Sequence, residues 1–110
     1  MVDDKQRDSA LTYMKKYAKD YAEAKSNRKY LEAFTKTLRA RLYNDAPEGG
    51  VKDREMWADS HEDMETHLIG LKAVQDEETR LEWELRAAEI TCDHYRTDEA
   101  SHRRMDRSAM

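Results

Sequence analysis

The chain has 110 residues, of which 40% are charged and 38% are apolar, and its formal net charge is −4. A chain of this length forms one domain, and so few apolar residues leave little to bury in an ordinary globular core. With three Gly, one Pro and abundant helix-forming residues, the composition argues against sheet structure and predicts an all-α protein.

No apolar run reaches the length of a membrane span, and the first ten residues have neither the apolar core nor the cleavage site of a signal peptide. A single cysteine, Cys92, cannot form an internal disulfide, which favours a reducing compartment. We therefore expect a cytoplasmic protein that does not enter a membrane.

The first predicted helix covers about residues 3–44, and its acidic start suits the positive end of the helix dipole. The one cluster of helix-breaking residues follows it, with Asn44, Asp45, the sole Pro and two of the three Gly in residues 44–50. This cluster predicts a turn over residues 45–52.

The second predicted helix covers about residues 53–105, with Asp53 as its N-cap. Gly70 is the only breaker inside it, and one glycine costs about 1 kcal/mol, which a long helix tolerates. A short connection forces this helix back alongside the first, which predicts a single antiparallel helical hairpin over residues 1–110.

Positions spaced alternately by four and three residues form an apolar seam in each helix, as in helices that pack on a partner helix. Eight of ten such positions are apolar in the first helix and nine of twelve in the second. The first seam is Ala10, Met14, Tyr17, Tyr21, Ala24, Arg28, Leu31, Thr35, Leu38 and Leu42. The second seam is Trp57, Ser60, Met64, His67, Leu71, Val74, Glu78, Leu81, Leu85, Ala88, Cys92 and Tyr95.

Pairing of the two seams defines a register. If Leu42 meets Trp57 across the turn, then Arg28 lies near Leu71 and Met14 lies near Leu85. The polar seam residues are predicted to fix this register and the helix orientation, because polar groups inside a helical seam restrict its alternatives. They are Arg28, Thr35, His67 and Glu78.

The two helices carry opposite net charge. Residues 1–44 hold eleven Lys and Arg against six Asp and Glu, whereas residues 53–110 hold eight against sixteen. Exposed ion pairs contribute about 0–1 kcal/mol each, so this asymmetry bears on the choice of partner more than on stability.

Further apolar residues lie off the second seam, and two helices alone leave them uncovered. We call this set the outer stripe, with Trp83 and Ile90 as its main anchors, and predict that it forms an oligomer or partner interface. A homo-oligomeric bundle is the first expectation, and a phage or host protein is another partner. The outer stripe is Ile69, Ala73, Trp83, Ala87 and Ile90, and the seam residue Trp57, near the turn, is predicted to belong to the same interface.

Enzymatic chemistry has little support. The pairs His61 with Glu65 and Asp63 with His67 have ligand spacing but point about 200° apart around a helix, so they do not converge on a metal. Cys92 has no His at a helical spacing that would activate it. We expect no catalytic residues, no metal and no cofactor.

Nucleic-acid binding is the alternative function. Lys and Arg residues are interleaved with aromatic residues on the first helix, and such a face can bind phosphates and stack on bases. The net charge of −4 disfavours binding to nucleic acid. The candidate contacts are Lys15, Lys16, Lys19, Lys25, Lys29, Lys36 and Arg39. The acidic surface of the second helix leaves open a further alternative, a decoy for a basic groove.

Residues 95–103 read Tyr-Arg-Thr-Asp-Glu-Ala-Ser-His-Arg. With Trp57-Ala58 and the order of the two helices, this segment resembles small phage- and prophage-encoded helical proteins from early or recombination regions. The resemblance implies a non-enzymatic accessory role in the host cytoplasm, and it transfers no functional residue.

Overall fold

A computed structural model describes residues 1–109 of the chain. The helices are α1 (Asp4–Asp45), α2 (Val51–Ser60) and α3 (Glu62–Ala109). No strand occurs within the described range, so the all-α prediction is confirmed.

A reciprocal capping box begins α1. The Asp3 carboxylate accepts a hydrogen bond from the Gln6 backbone N–H at 2.7 Å, and the Gln6 side chain accepts one from the Asp3 N–H at 3.0 Å. These bonds satisfy two backbone donors that the helix itself leaves without acceptors. The predicted acidic start of the first helix therefore also supplies its cap.

The start of α2 differs from the prediction. Its N-cap is Gly50, with extended backbone at φ −70° and ψ 165° and no side-chain cap, rather than Asp53. The helix begins two residues earlier than expected, and Asp53 lies in the first turn. There its carboxylate still interacts favourably with the positive end of the helix dipole.

The second predicted helix is broken at His61, whose backbone is extended at φ −66° and ψ 143°. His61 Nδ1 accepts the Asp63 N–H at 3.0 Å, and the Ser60 hydroxyl donates to the Met56 carbonyl at 2.7 Å. Polar side chains that bond to nearby backbone groups compete with a continuous helix. The single helix expected over residues 53–105 is therefore replaced by α2 and α3.

The structure comprises two compact units. The terminal unit contains Met1–Ala22 and the chain from Thr79 onward, and the central unit contains Glu23–Glu78. Each unit draws on both α1 and α3, and α2 belongs to the central unit.

In the terminal unit, α1 and α3 contact each other in opposite residue order. The Val2 N–H donates to Asp98 at 3.2 Å, and Tyr13 donates its hydroxyl hydrogen to Glu84. Residue numbers thus rise along α1 as they fall along α3, which defines antiparallel segments. A buried cluster lies between them and consists of Ala10, Ala88 and Cys92, with Tyr13 and Met14 packed against it.

In the central unit, a second buried cluster joins all three helices. It consists of Leu42, Ala58 and Met64. Leu38 and Trp57 pack against it, so Leu42 and Trp57 belong to the same cluster, as the register assumed. Arg39 of α1 donates to Asp59 of α2 at 2.9 Å beside this cluster.

Met64→Ala tests the core of the central unit. Met64 is 1% exposed, so the truncation leaves a cavity and should lower the free energy of unfolding by about 2–5 kcal/mol. The measurement is urea unfolding followed by circular dichroism. Met56→Ala is the matched control, because Met56 is 66% exposed and the same change there should cost less than about 0.5 kcal/mol. Equal losses in the two variants would contradict the assigned core.

Candidate interaction surface

The seam pattern separates covered from exposed positions along the chain. Every residue of the first seam is buried or half-buried, and so is every residue of the second seam except Ser60. Ser60 lies at the end of α2, where its hydroxyl bonds to the backbone instead. The alternating spacing therefore identifies the faces that the helices present to each other within each unit.

Arg28 and Glu78 form a bidentate ion pair inside the central unit. Arg28 Nη2 donates to Glu78 Oε1 at 3.1 Å, while Nε donates to the other carboxylate oxygen. Arg28 Nη1 also donates to Glu32, one turn along α1, at 3.1 Å. Glu78 is a buried residue, and a buried carboxylate requires a compensating cation.

This ion pair gives Arg28 a partner that the register did not predict. The register expected Leu71, whereas Arg28 reaches Glu78, one heptad further along α3. Leu71 offers a guanidinium neither a charge nor an acceptor, and the arginine side chain is long enough to reach the carboxylate.

The contact between Arg28 and Glu78 shifts the pKa of both residues. The hydrogen bond from Arg28 lowers the pKa of Glu78, and this effect outweighs the opposing effect of burial. Lys25 and Lys29 lower the pKa of Glu78 further through their charge. The same pairing raises the pKa of Arg28.

Thr35 and His67 are the second pair of polar seam residues. The Thr35 hydroxyl donates to the Leu31 carbonyl at 3.0 Å and lies 2.7 Å from His67 Nε2. Because the hydroxyl hydrogen is used at Leu31, His67 Nε2–H is the donor in the second bond. The edge of the His67 ring also meets Phe34, with ring centroids 5.5 Å apart.

The four polar seam residues thus meet in two pairs, Arg28 with Glu78 and Thr35 with His67. The sequence pattern identified the four positions but did not pair them with one another. Opposite charge on Arg28 and Glu78 was the available signal, while the Thr35 contact depends on a rotamer that spacing does not reveal.

Tyrosines of the terminal unit make contacts that the sequence did not indicate. The hydrogen bond from the Tyr13 hydroxyl to Glu84 raises the pKa of Tyr13 to about 12. The Tyr95 hydroxyl donates to Asp4 at 2.7 Å, and the Arg7 guanidinium lies 4.5 Å from the centroid of the Tyr95 ring. These polar contacts fasten the ends of α1 and α3 within this unit.

The outer stripe is largely exposed. Trp83 and Ile69 are each 66% exposed and Ile90 is 48% exposed, and Ala73 and Ala87 are also exposed. Trp83, Ala87 and Ile90 belong to the terminal unit, whereas Ile69 and Ala73 belong to the central unit. Large apolar side chains grouped on an exposed helix face are typical of an interaction site.

Trp57, the seam residue assigned to the same predicted interface, differs from the outer stripe. It is half-buried, packs against the Leu42 cluster and lies 4.9 Å from the His61 ring, measured between centroids. Its indole therefore contributes to the core of the central unit. Sequence spacing already placed Trp57 on the second seam, and that position accounts for its burial.

The candidate nucleic-acid contacts divide between the terminal and the central unit, and several of them have contacts within the protein. Arg39 forms an ion pair with Asp59, and the charges of Lys25 and Lys29 lower the pKa of Glu78. The Lys16 ammonium lies 5.3 Å from the centroid of the Tyr17 ring. The remaining candidates, all exposed, are Lys15, Lys19 and Lys36.

The residues weighed for metal binding or catalysis have structural contacts. His61 caps α3 and His67 bonds to Thr35, while Cys92 is buried beside Ala10 and Ala88. Over the described part of the chain, no group of three or more His, Cys, Asp or Glu side chains could hold a metal ion.

Comparisons with known proteins add no relative. No family model, no curated protein and no solved structure matches the chain. The resemblance of residues 95–103 to phage-encoded helical proteins therefore stays a prediction. Within residues 1–109, no helix is both long enough and apolar enough to cross a membrane.

Acid titration of stability tests the buried ion pair. Because Arg28 lowers the pKa of Glu78, the pair stabilises the fold fully above the ordinary glutamate value of 4.5 and loses this contribution as the pH falls through the lowered pKa. Glu78→Gln should therefore flatten the decline in unfolding free energy between about pH 5 and pH 3. Glu82→Gln, an exposed change on α3, should keep the wild-type slope. A wild-type slope in Glu78→Gln would show that the pair contributes nothing.

Proposed function

We propose that the chain is a non-enzymatic interaction protein, an antiparallel helical hairpin that associates with itself and with a partner through its outer stripe. The observation that carries this proposal is the exposure of Trp83 and Ile90 on α3. Both side chains lie on the opposite side of the helix from the seam residues that pack on α1. Apolar anchors of this size contribute strongly to binding when a partner covers them.

Self-association is supported by the outer side of α3, which α1 does not cover. In the terminal unit, α1 covers the inward side of α3 around Ala88 and Cys92, and one helix covers only one stripe of its neighbour. The outer side of α3 therefore keeps its apolar residues in water. Another helix packed on that side would bury them, and helix-to-helix packing needs no further structural element.

The charges on the helices support the proposal that the chain binds selected partners. Ion pairs between the basic and acidic helices already occur in the central unit, where Arg28 bonds Glu78 and Arg39 bonds Asp59. Exposed charges beside an apolar patch steer association and exclude mismatched orientations more than they add affinity. A phage or prophage setting, with a phage or host protein as the second partner, is part of this proposal and depends on the resemblance.

Substitution of both anchors tests the proposal. Trp83→Glu combined with Ile90→Glu introduces two charges into the outer stripe and should abolish association while leaving helicity intact. The measurements are sedimentation at micromolar concentration and far-ultraviolet circular dichroism. Met56→Glu is the matched control, because Met56 is as exposed as Trp83 and lies on α2. A wild-type chain that stays monomeric, or an unchanged mass in the double variant, would refute the proposal.

Nucleic-acid binding is the second candidate function, and one observation favours it. Tyr30 is 67% exposed beside Lys29, and its ring stacks on Phe34 with centroids 6.3 Å apart. An exposed ring beside a cation offers a surface for a base and its phosphate. If this candidate holds, Tyr30→Ala weakens binding of short single-stranded DNA at low salt, and Tyr43→Ala, at a half-buried tyrosine of the same helix, weakens it less. No gel shift at low salt would eliminate this function.

A further inference from the structure

We infer that the outer face of α3 in the terminal unit binds the same face of a second copy of the chain, with the two α3 segments antiparallel about a two-fold axis. The inference rests on the proposed self-association and specifies its geometry. An interface of this kind is isologous, so each residue that contacts another across it does so twice.

The spacing of exposed residues defines the contact line. Trp83, Ala87, Ile90 and His94 follow one another at intervals of four, three and four residues, and all four are exposed. This is the spacing of positions that interlock between two long helices. The seam residues Ala88 and Cys92 occupy the other side of α3, against α1.

A two-fold axis between Ala87 and Ile90 pairs large with small side chains. It brings Ala87 opposite the partner's Ile90, and it brings Trp83 opposite the partner's His94. The small Ala87 side chain leaves room for the isoleucine, and the indole meets an imidazole ring rather than a second indole. Facing positions that alternate in size are favourable for close packing.

Flanking charges select the antiparallel orientation. Arg86 and Asp93 lie seven residues apart, about two turns, so they occupy the same edge of the contact line. In the antiparallel arrangement Arg86 faces the partner's Asp93, and the symmetric pair forms as well. A parallel arrangement would instead bring Asp93 close to the partner's Asp98 and Trp83 against the partner's Trp83. Like charges and two bulky rings disfavour that arrangement.

The side chains of Arg86 and Asp93 are exposed, so both can form these contacts across the interface. Asp93 is paired with Arg96 on its own helix at 3.1 Å, and both side chains are more than half exposed. Such an exposed pair within one helix is weak and is readily replaced by a contact that association brings near. The Arg86 side chain is exposed beside a shallow groove that Leu85 and Met14 also line.

Charge reversal tests the inferred geometry on the full chain. Arg86→Glu places two glutamate–aspartate contacts across the interface, and Asp93→Arg places two arginine–arginine contacts there. Each variant alone should raise the dimer dissociation constant by about tenfold at low salt. An equimolar mixture should form heterodimers with near wild-type affinity, because both contacts then join opposite charges. Glu89→Arg, an exposed change off this face, is the matched control and should leave the constant unchanged.

The outcomes separate this inference from the proposed function. Sedimentation equilibrium and native mass spectrometry of the mixture give the dissociation constants and the heterodimer fraction. Recovery of affinity in the mixture supports the antiparallel geometry and also shows that both variants fold. A wild-type dimer with unchanged constants in both variants, or a mixture no tighter than its components, overturns this geometry and leaves self-association intact. A monomeric wild type overturns the proposed function itself.

Discussion

A helix packed against one other helix buries a single stripe, and this constraint governs the whole chain. The stripe is used fully, since every seam residue but Ser60 is at least half-buried. The fully buried side chains nevertheless include small residues such as Ala58, with Met64 and Leu81 as the largest. A thin core of this kind offers little surplus stability per residue. Apolar side chains beyond the stripe therefore stay in water unless another chain covers them.

Polar residues within the seam determine which pairings are allowed. A shifted register would bury Glu78 without Arg28, and an unpaired buried carboxylate costs far more than the pair gains. The Thr35 contact with His67 acts in the same direction, because a shifted register would separate these two half-buried polar side chains. A seam of apolar residues alone would allow the two helices to pair in several registers. Both pairs lie in the central unit, and they specify how the α1 and α3 segments pair within that unit.

Composition predicted helical structure and the cluster of helix-breaking residues predicted the turn. Heptad spacing predicted the inward faces, because burial in a helix pair follows the helical repeat directly. It missed the break at His61, since the break depends on Ser60 and His61 bonding to nearby backbone rather than on periodicity. It did not predict the ion pair of Arg28 with Glu78, because spacing records where Cα atoms fall and not how far a long side chain reaches. The exposure of Trp83 and Ile90 follows from their wheel positions, whereas the burial of Trp57 follows from the seam itself.

The arrangement of charge beside the apolar residues carries the functional argument further than their exposure alone. Trp83 and Ile90 would bind many apolar surfaces, so by themselves they would favour indiscriminate aggregation. In the dimer that we propose, Arg86 and Asp93 on one edge restrict the choice of partner, because an antiparallel copy presents the opposite charge at both positions. The same logic operates inside the central unit at Arg28 and Glu78. The composition of the chain, rich in charge and poor in apolar residues, is consistent with this proposal. The charges would select the partner, and the few exposed apolar residues would supply the binding energy.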